Sequence, residues 1–512
     1  MNRKVRAPWA VMLPALFGAI ITLLPLWYLV DQVVRSGWGA FSDEIFQDRT
    51  ARLVVRSFLL TASVTIFSVV IGVFAAWITT MTSIRGRAVL LVLLSVPLAI
   101  PSYLSAFAWL SWQPGLSGFR GAVLVLTLAC YPYVMLPVAA ALRRVDPAQI
   151  EVARSLGSST FDVIFRLALR QVRTAIVGGA LLVALYVLSD FGAVAAMRYE
   201  VFTWVIYGAY RSGFNPSRAA SLSMVLVLAA AVLVVLESRI RGRGSLARIG
   251  KGVARNIRWK TSLPTMAVLW LISALVIAAG VGVPVVSVIN WVQRDSATAV
   301  NAGLVFESIV TSFQIGLFTA IAATLIALPI GIGVVRFTSW PTRTIERSTY
   351  ISHALPGIVV AISLVYAGVR LLRPVYQELP LLVLGQVVLF LPLAVASIRT
   401  SIEQSSVHLE EVSRSLGLGQ MLTILKVTIP IALPGIAGGA ALVMLATVKE
   451  LPTTLLLRPT GTETLATSIW KYSTVTDYAA VGPYAVALML LAAVPTAVLS
   501  AITIVKGRSH QS

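Results

Sequence analysis

The sequence predicts an all-α integral membrane protein with about 12 transmembrane helices, arranged as two parallel six-helix repeats. Of the 512 residues, 58% are hydrophobic and only 12% are charged, whereas soluble domains carry roughly 25% charged residues. Apolar runs long enough to cross a bilayer recur along the chain. A motif of the first half also returns in the second half, 260 residues later. These observations exclude a soluble multidomain enzyme.

Twelve apolar runs have the length of a membrane-spanning helix, which needs about 20 residues to cross the hydrocarbon layer. Because twelve is an even number, both chain termini face the same side of the membrane. We expect the spans near residues 8–30, 53–79, 88–112, 121–142, 174–197, 217–236, 263–290, 307–335, 349–371, 381–398, 431–450 and 481–505.

The net charge of +21 predicts the orientation. If the N-terminus is cytoplasmic, the cytoplasmic segments hold 27 of the 41 Lys+Arg residues but only 8 of the 20 Asp+Glu residues. Cytoplasmic loops of membrane proteins carry such an excess of Lys and Arg. We therefore expect a multi-pass protein of the bacterial cytoplasmic (inner) membrane with both termini cytoplasmic.

The internal repeat divides the chain into three parts. Residues 151–157 read EVARSLG and residues 411–417 read EVSRSLG. The register persists downstream, where Gly179 faces Gly439, and a weaker alignment pairs Pro97 with Pro356. Because six spans bring each half back to the side where it entered, the two halves are parallel repeats. The predicted domains are a first half (1–236), a basic cytoplasmic linker (237–262) that lies on anionic lipid headgroups rather than on nucleic acid, and a second half (263–512).

The strongest repeat lies in a cytoplasmic loop. In each half the sequence predicts a short helix, a glycine turn and a second helix, with Gly157 and Gly417 as left-handed helix ends. Four residues give the first helices an apolar edge, namely Val152, Leu156, Val412 and Leu416. Any long loop could form two amphipathic helices, but the identical placement in both halves favours a two-fold symmetric cytoplasmic partner.

This loop resembles the coupling loop of binding-protein-dependent permeases of ATP-binding-cassette (ABC) importers, in which Glu-x-Ala-x3-Gly is followed by a distal Leu-Pro. The residues that carry the resemblance are Glu151, Ala153, Gly157, Glu411, Ser413 and Gly417. Ser413 departs from the usual Ala, and Arg170 stands where Pro is usual. The segments PLAIPSYLSAFAWL (97–110) and KELPTTLLLRP (449–459) make the chain most similar to fused, two-half ferric-iron transport permeases.

The resemblance implies the type I permease fold and a set of partners. A periplasmic or lipid-anchored binding protein delivers the substrate, and two copies of a cytoplasmic ABC ATPase bind the loops at 146–170 and 406–430. The chain is then a transport subunit rather than an enzyme. It has no phosphate-loop motif and binds no cofactor, while ATP and Mg act on the partner. Fused permeases for thiamine, phosphonate or polyamine share this architecture. A 12-helix secondary transporter driven by an ion gradient is an alternative from another class, but it has no reason to duplicate the loop.

Two acidic residues are candidates for the translocation path. Asp190 and Glu450 are repeat equivalents, and we expect each near the outer end of the fifth span of its half. Ionisable groups within membrane spans are costly, so they default to functional hypotheses. Carboxylate oxygens suit a hard cation, which makes the pair candidate transient contacts for ferric iron, with no resident metal assigned. In the alternative interpretation they cap helices or form ion pairs.

Overall fold

The computed structural model describes residues 8–143, 145, 152, 155–157, 169–211, 215–241, 262–294, 301–337, 339–352 and 355–492. Every regular element in these ranges is a helix, as the sequence predicts. The α-helices of the first half and of its connection are Trp9–Ser36, Trp38–Ile45, Asp48–Met81, Arg87–Ser95, Ser102–Trp112, Phe119–Leu142, Leu169–Ser189, Gly192–Ala196, Phe202–Arg211 and Pro216–Arg241. Those of the second half are Leu263–Ile277, Val283–Val292, Ala302–Arg336, Trp340–Ser352, Gly357–Arg370, Leu379–Glu403, Val407–Ser415, Gln420–Thr423, Ile429–Lys449, Pro452–Leu457, Leu465–Thr474 and Tyr478–Ala492.

The predicted spans differ in form. Within the described ranges, nine helices are long and apolar enough to cross a membrane, or ten if Arg87–Ala99 and Ser102–Trp112 count as one bent span. The span predicted near 349–371 corresponds to a shorter apolar helix, Gly357–Arg370, and the described part of the span predicted near 481–505 is the helix Tyr478–Ala492. Described helices thus fall at all of the predicted positions, although one span is bent and the helix Gly357–Arg370 is short.

Two of the helices begin directly after a proline. The third predicted span bends by 94°, and its second helix begins at Ser102 immediately after Pro101, which is extended at φ −61° and ψ 142°. In the second half Pro356 adopts the same conformation before the helix that begins at Gly357. Proline has no N–H and disfavours a helical residue before it, so a helix readily restarts there. The helix starts pair Pro356 with Pro101, 255 residues apart, which corrects the alignment with Pro97.

Two compact units exchange segments of sequence. One unit combines the described residues within Met1–Ser42, Ala209–Ser223 and Arg294–Ser512, and the other combines Asp43–Gly208 with Met224–Gln293. In the first unit, Trp9–Ser36 packs against the helices between residues 302 and 370. In the second, the span Leu263–Val292 packs against the helices between 87 and 112. Each unit therefore contains the first membrane span of the opposite half of the sequence. The domain boundaries at 236 and 263 stay predictions about the sequence repeat. Of the predicted basic linker at 237–262, residues 242–261 lie outside the described residues.

Glycines allow close packing at equivalent places in the two units. A Cβ added to Gly179 would lie 2.8 Å from the Cα of Val134, in the neighbouring helix Phe119–Leu142. A Cβ added to Gly439 would lie 2.6 Å from Oγ of Ser397, in the helix Leu379–Glu403. Small residues let membrane helices approach closely. The repeat register that sequence alone assigns to these two glycines thus holds in the packing.

Candidate coupling loops and carboxylate sites

The two glycine turns have the same geometry. Gly157 has φ +82° and Gly417 has φ +90°, both in the left-handed region. In each loop the residue before the glycine closes a helical turn, because the N–H groups of Leu156 and Leu416 donate to carbonyl oxygens four residues earlier at 3.1 Å. Glycine is the residue that adopts such φ values without a steric penalty. The predicted helix ends are confirmed at both positions.

The rest of the first loop is described only at residues 152 and 155–157. Glu151 and Ala153, together with the predicted helix start at 146–147 and the second helix predicted from 159, lie outside the described residues. Their roles stay predictions.

The second loop is described completely. Its first helix, Val407–Ser415, ends in a Schellman turn, in which the Leu418 N–H donates to the Ser413 carbonyl at 3.2 Å and the Gly417 N–H donates to the Arg414 carbonyl at 3.0 Å. Ser406 occupies the N-cap position, but its side chain makes no capping hydrogen bond. The second helix begins at Gln420 and runs on as the membrane span to Lys449. The second helix of this loop and the membrane span thus form one continuous helical segment.

An apolar edge is exposed on both loops. The relative exposures are 57% for Val152, 80% for Leu156, 55% for Val412 and 78% for Leu416. Large apolar side chains on a polar loop mark an interaction surface when they cluster. The pairs Val152/Val412 and Leu156/Leu416 are separated by the repeat offset of 260, so both loops present the same two side chains.

Two motif residues of the second loop have different surroundings. Ser413 is buried, and its hydroxyl lies 3.2 Å from Oγ1 of Thr423, which ties the first helix of the loop to the second. Glu411 is exposed, and a carboxylate oxygen lies 3.2 Å from Nδ1 of His408. Exposed pairs of this kind contribute little stability. Ser413 therefore shapes the loop, whereas Glu411 faces outward, where a partner can reach it.

Sequence reasoning missed the ion pair that holds this loop. Glu410 is 7% exposed, and its Oε1 lies 2.8 Å from the guanidinium of Arg336, the last residue of the helix Ala302–Arg336. Oγ1 of Thr428 donates to the same oxygen at 2.8 Å. The Arg336 guanidinium also donates to the carbonyls of Ile402 and Ser405 at 3.1 and 3.2 Å. Breaking a buried pair is costly because it leaves an uncompensated charge. The pair thus fixes the first helix of the loop to the end of a membrane span.

The first candidate carboxylate, Asp190, is buried between two helices. Ser102 Oγ donates to its Oδ2 at 2.5 Å, and the backbone N–H of Ala193 donates to its Oδ1 at 2.9 Å. Ala193 belongs to the short helix Gly192–Ala196. A third contact involves its backbone, since Thr203 Oγ1 donates to the Asp190 carbonyl at 2.7 Å. Asp190 therefore joins three segments of one compact unit.

The second candidate carboxylate, Glu450, has matching contacts. Its Oε1 accepts the Thr453 N–H at 2.8 Å, and its Oε2 accepts the Thr454 N–H at 3.0 Å. Both donors lie in the first turn of the helix Pro452–Leu457. Nε2 of the buried Gln386 also donates to Oε2 at 2.9 Å. Glu450 thus satisfies the free N–H groups at a helix start.

These contacts support the capping interpretation that the sequence left open. Each carboxylate accepts a backbone N–H three residues ahead, and each also accepts a hydrogen bond from a side chain in a neighbouring helix. Among the described residues, no cluster of three or more His, Cys, Asp or Glu side chains could hold a metal ion. A transient contact between the two acids and a transported cation stays a prediction.

Comparison with known proteins assigns the family. Residues 68–238 and 323–506 each match the model of the family described as binding-protein-dependent transport system inner membrane component. The chain belongs to this family. The match covers one segment of each half, as the internal repeat requires.

Individual relatives add detail. The chain is 34% identical to the Fe(3+)-transport system permease protein FbpB 2 of Haemophilus influenzae. The alignment covers 96% of this chain and 97% of that protein. It is 26% identical to the sulfate transport system permease protein CysT of Salmonella typhimurium, covering 44% of this chain and 87% of that protein. It is 25% identical to the molybdenum transport system permease protein ModB of Escherichia coli, covering 40% of this chain and all of that protein.

The permease is thus a fused, two-half ABC importer permease of the inner membrane. It is a multi-pass transport subunit and not itself an enzyme, and its family works together with an ATPase and a substrate-binding protein. Relatives that span one half of this chain agree with the helix repeat that the structure displays.

Proposed function

We propose that the permease moves ferric iron from a periplasmic or lipid-anchored binding protein into the cytoplasm. The observation that supports ferric iron is the 34% identity to an Fe(3+)-transport permease along nearly the whole of both chains. The sulfate and molybdenum relatives cover less than half of this chain at 25–26% identity. A fused permease for thiamine, phosphonate or polyamine is the alternative within the family.

The proposed energy source is ATP hydrolysis by two copies of a separate ATPase subunit, which bind ATP and Mg and dock on the two coupling loops. Two loops with the same left-handed glycine and the same exposed Val and Leu side chains fit one partner presented twice. In this proposal both loops and both termini are cytoplasmic, since the segments on that side carry the excess of Lys and Arg.

ATPase docking can be tested at the glycine turns. Gly157→Val combined with Gly417→Val forces a β-branched residue to positive φ, which strains both turns. We expect at least tenfold less ATPase to co-purify with this variant. The control is Gly39→Val with Gly208→Val, at glycines outside both loops that have ordinary φ values and no atoms within 4 Å of an added Cβ. Normal ATPase recovery with the loop variant would contradict the docking proposal.

A second variant separates docking from loop folding. Leu156→Gln with Leu416→Gln changes two side chains that are about four-fifths exposed, so we expect an unchanged thermal unfolding temperature. If these side chains fill apolar pockets of the ATPase, they belong to the small set that dominates interface energy. Co-purified ATPase should then fall at least fivefold, and unchanged recovery would remove the apolar edge from the interface.

Transport assays decide the substrate and the energy source. Cells that express the complete system should accumulate labelled ferric iron, and deletion of this gene should abolish the uptake, whereas labelled thiamine, sulfate and molybdate should be unaffected. Uptake that survives a protonophore but stops when the partner ATPase is inactivated supports an ABC importer. The opposite pattern would favour an ion-gradient-driven secondary transporter.

Asp190 and Glu450 are proposed as transient cargo contacts within this cycle. The double variant Asp190→Asn with Glu450→Gln removes both charges and keeps the side-chain sizes. We expect ferric-iron uptake to fall at least tenfold while the amount of assembled complex in the membrane stays within twofold of wild type. Normal uptake at normal complex levels would leave both residues with a purely structural role as helix caps.

A further inference from the structure

A cavity of about 390 Å³ opens between three helix segments of one compact unit. It lies at the C-terminal ends of Ala302–Arg336 and Leu379–Glu403 and beside the helix Trp340–Ser352. Besides two valines, its lining consists of the charged side chains of Arg343, Glu346, Arg347, Arg399 and Glu403. A cavity lined this way suits a charged ligand.

The acidic side chains of the cavity are already engaged. Glu346 is buried and its Oε1 lies 2.5 Å from Nη1 of Arg399, while Glu403 Oε1 lies 2.8 Å from Nε of the same arginine. Within the described part of the chain, the side chains of Arg343 and Arg347 form no ion pair and no hydrogen bond. Since both carboxylates lie against Arg399, the lining as a whole has three guanidinium groups and two carboxylates, and its net positive charge at Arg343 and Arg347 favours an anion.

The helix that carries these arginines has two distinct faces. Thr342, Ile345 and Thr349 are buried, whereas Trp340, Arg343 and Arg347 are exposed. The exposed residues follow one another at spacings of three and four, which places them on one side of an α-helix. Trp is enriched where a membrane meets water, and basic amphipathic helices with an aromatic residue lie in the headgroup region. The exposed face thus has the composition of a lipid-headgroup contact.

The position of the cavity indicates which leaflet it meets. Arg336 ends the same helix that lines the cavity and pairs with Glu410 of the second coupling loop, so the cavity lies at the coupling-loop end of its unit. This end is cytoplasmic if the proposed function holds, and the cytoplasmic leaflet carries anionic lipids that attract Arg. Planar guanidinium groups bind phosphate oxygens in a bidentate manner.

We propose that this cavity binds the phosphate of an anionic phospholipid headgroup, with Arg343 and Arg347 as the donors. The site rests on the cytoplasmic orientation of the proposed function. Free phosphate offers the same oxygens, but the exposed Trp340 beside the arginines favours a lipid, whose glycerol and acyl chains extend toward the bilayer. A bound lipid would hold the helix Trp340–Ser352 at the membrane surface, next to the span that anchors the second coupling loop.

Lipid retention tests this proposal. Purified permease in detergent is incubated with phosphatidylglycerol or phosphatidylcholine, and bound lipid is counted by native mass spectrometry. We expect the wild-type protein to retain phosphatidylglycerol preferentially, and Arg343→Gln with Arg347→Gln to lower that retention at least fivefold. Both arginines are exposed, so the thermal unfolding temperature without lipid should stay unchanged. The matched control, Arg85→Gln with Arg120→Gln, removes two exposed arginines of the other compact unit and should retain lipid like wild type.

Three outcomes of the retention measurement would overturn the proposal. They are equal retention of the two lipids by wild type, equal loss in the control variant, and unchanged retention in the Arg343/Arg347 variant. Displacement of phosphatidylglycerol by millimolar inorganic phosphate would overturn the lipid as the source of the phosphate group. None of these measurements involves the ATPase, so a negative result here is distinguishable from failure of the coupling-loop variants to lose ATPase.

Discussion

Asp190 and Glu450 occupy equivalent positions in the two halves. They accept the same kind of backbone hydrogen bond, but the side chains that lie beside them differ. Each accepts a backbone N–H three residues ahead, at 2.9 Å for Asp190 and 2.8 Å for Glu450. Each also lies against the first residue after a helix-breaking proline. That residue is Ser102 beside the shorter acid, and Gly357 beside the longer one, where a Cβ would stand 2.9 Å from Oε1 of Glu450.

The difference shows what the two halves have kept. The glutamate has one more methylene than the aspartate, and the glycine leaves the room that this extra length requires. The contact between the end of the fifth span and the helix after the proline is retained, while the residue types at the contact have changed together. Interior packing is dense enough to require such paired changes.

The coupling loops differ more strongly. Glu410 of the second loop pairs with Arg336, but its equivalent in the first loop is Ile150, and residues 76–82, around the corresponding end of the second span, contain no ionisable side chain. The two residue types that form this ion pair are therefore not repeated at the equivalent positions in the sequence of the first half. In the second loop, this pair forms an electrostatic link between the first helix and a membrane span.

The largest expected effect comes from breaking that link. Glu410→Leu leaves the Arg336 guanidinium buried without its carboxylate, which should lower the free energy of unfolding by about 3–5 kcal/mol. Adding Arg336→Met to Glu410→Leu removes the orphaned charge and should recover much of the loss. Unfolding in detergent, followed by tryptophan fluorescence, provides the measurement. A change below about 1 kcal/mol in the single variant would show that the pair does not fix the loop.

The glycine–glutamate pair should be next in size. Gly357→Ser places a side chain within contact distance of Glu450, and overpacking of this kind typically costs about 1–3 kcal/mol. Glu450→Asp in the same chain recreates the Ser–Asp combination of the other half and should restore part of the stability. A matched control, Gly178→Ser, adds the same side chain where nothing lies within 4 Å. Additive effects of Gly357→Ser and Glu450→Asp would refute the proposed covariation.

The single variants Asp190→Asn and Glu450→Gln should differ from each other by roughly 1–2 kcal/mol in the free energy of unfolding. In Asp190→Asn the amide oxygen can keep the Ala193 N–H, and the amide NH2 can donate to the Ser102 hydroxyl, which accepts as well as donates. In Glu450→Gln one of two backbone N–H groups, of Thr453 or Thr454, must face an NH2 group. Glu450→Gln should therefore be the less stable variant in the same unfolding assay. The reverse order would contradict the hydrogen-bond assignment.

The smallest effect is expected for an exposed ion pair. Arg56 and Glu200 lie 2.9 Å apart with side-chain exposures of 44% and 51%. Solvent-exposed pairs contribute about 0.2–1 kcal/mol, so Arg56→Gln should barely shift the unfolding curve, and less still at high salt. A loss as large as that of Glu410→Leu would mean that charge removal alone destabilises the protein.

Sequence alone was sufficient where a local rule decides the structure. Gly157 and Gly417 end their helices because glycine tolerates positive φ, and their spacing revealed the repeat. The equivalence of Asp190 and Glu450 followed from the same offset. Hydropathy located the spans, but it is insensitive to the break at Pro101, since a bent pair and a straight helix have the same composition.

Contacts between distant segments were beyond sequence reasoning. Arg336 and Glu410 are 74 residues apart, and nothing in their local patterns marks them as partners. Ser102 became meaningful only once the bend brought it to Asp190, 88 residues away. The two compact units could not be inferred from the repeat either. The repeat gives the order of similar segments along the sequence, but it does not indicate which helices pack together.

The exchange of first helices has a consequence for assembly. The helix Trp9–Ser36 packs in a unit built mainly from residues after 294, and Leu263–Val292 packs in a unit built mainly from residues before 208. Two separate half-length polypeptides would have to meet in the membrane before either unit could be complete. Covalent fusion fixes their ratio at one to one and makes their meeting an intramolecular event. In the fused chain, the two halves associate as part of folding, whereas two separate polypeptides would first have to recognise each other.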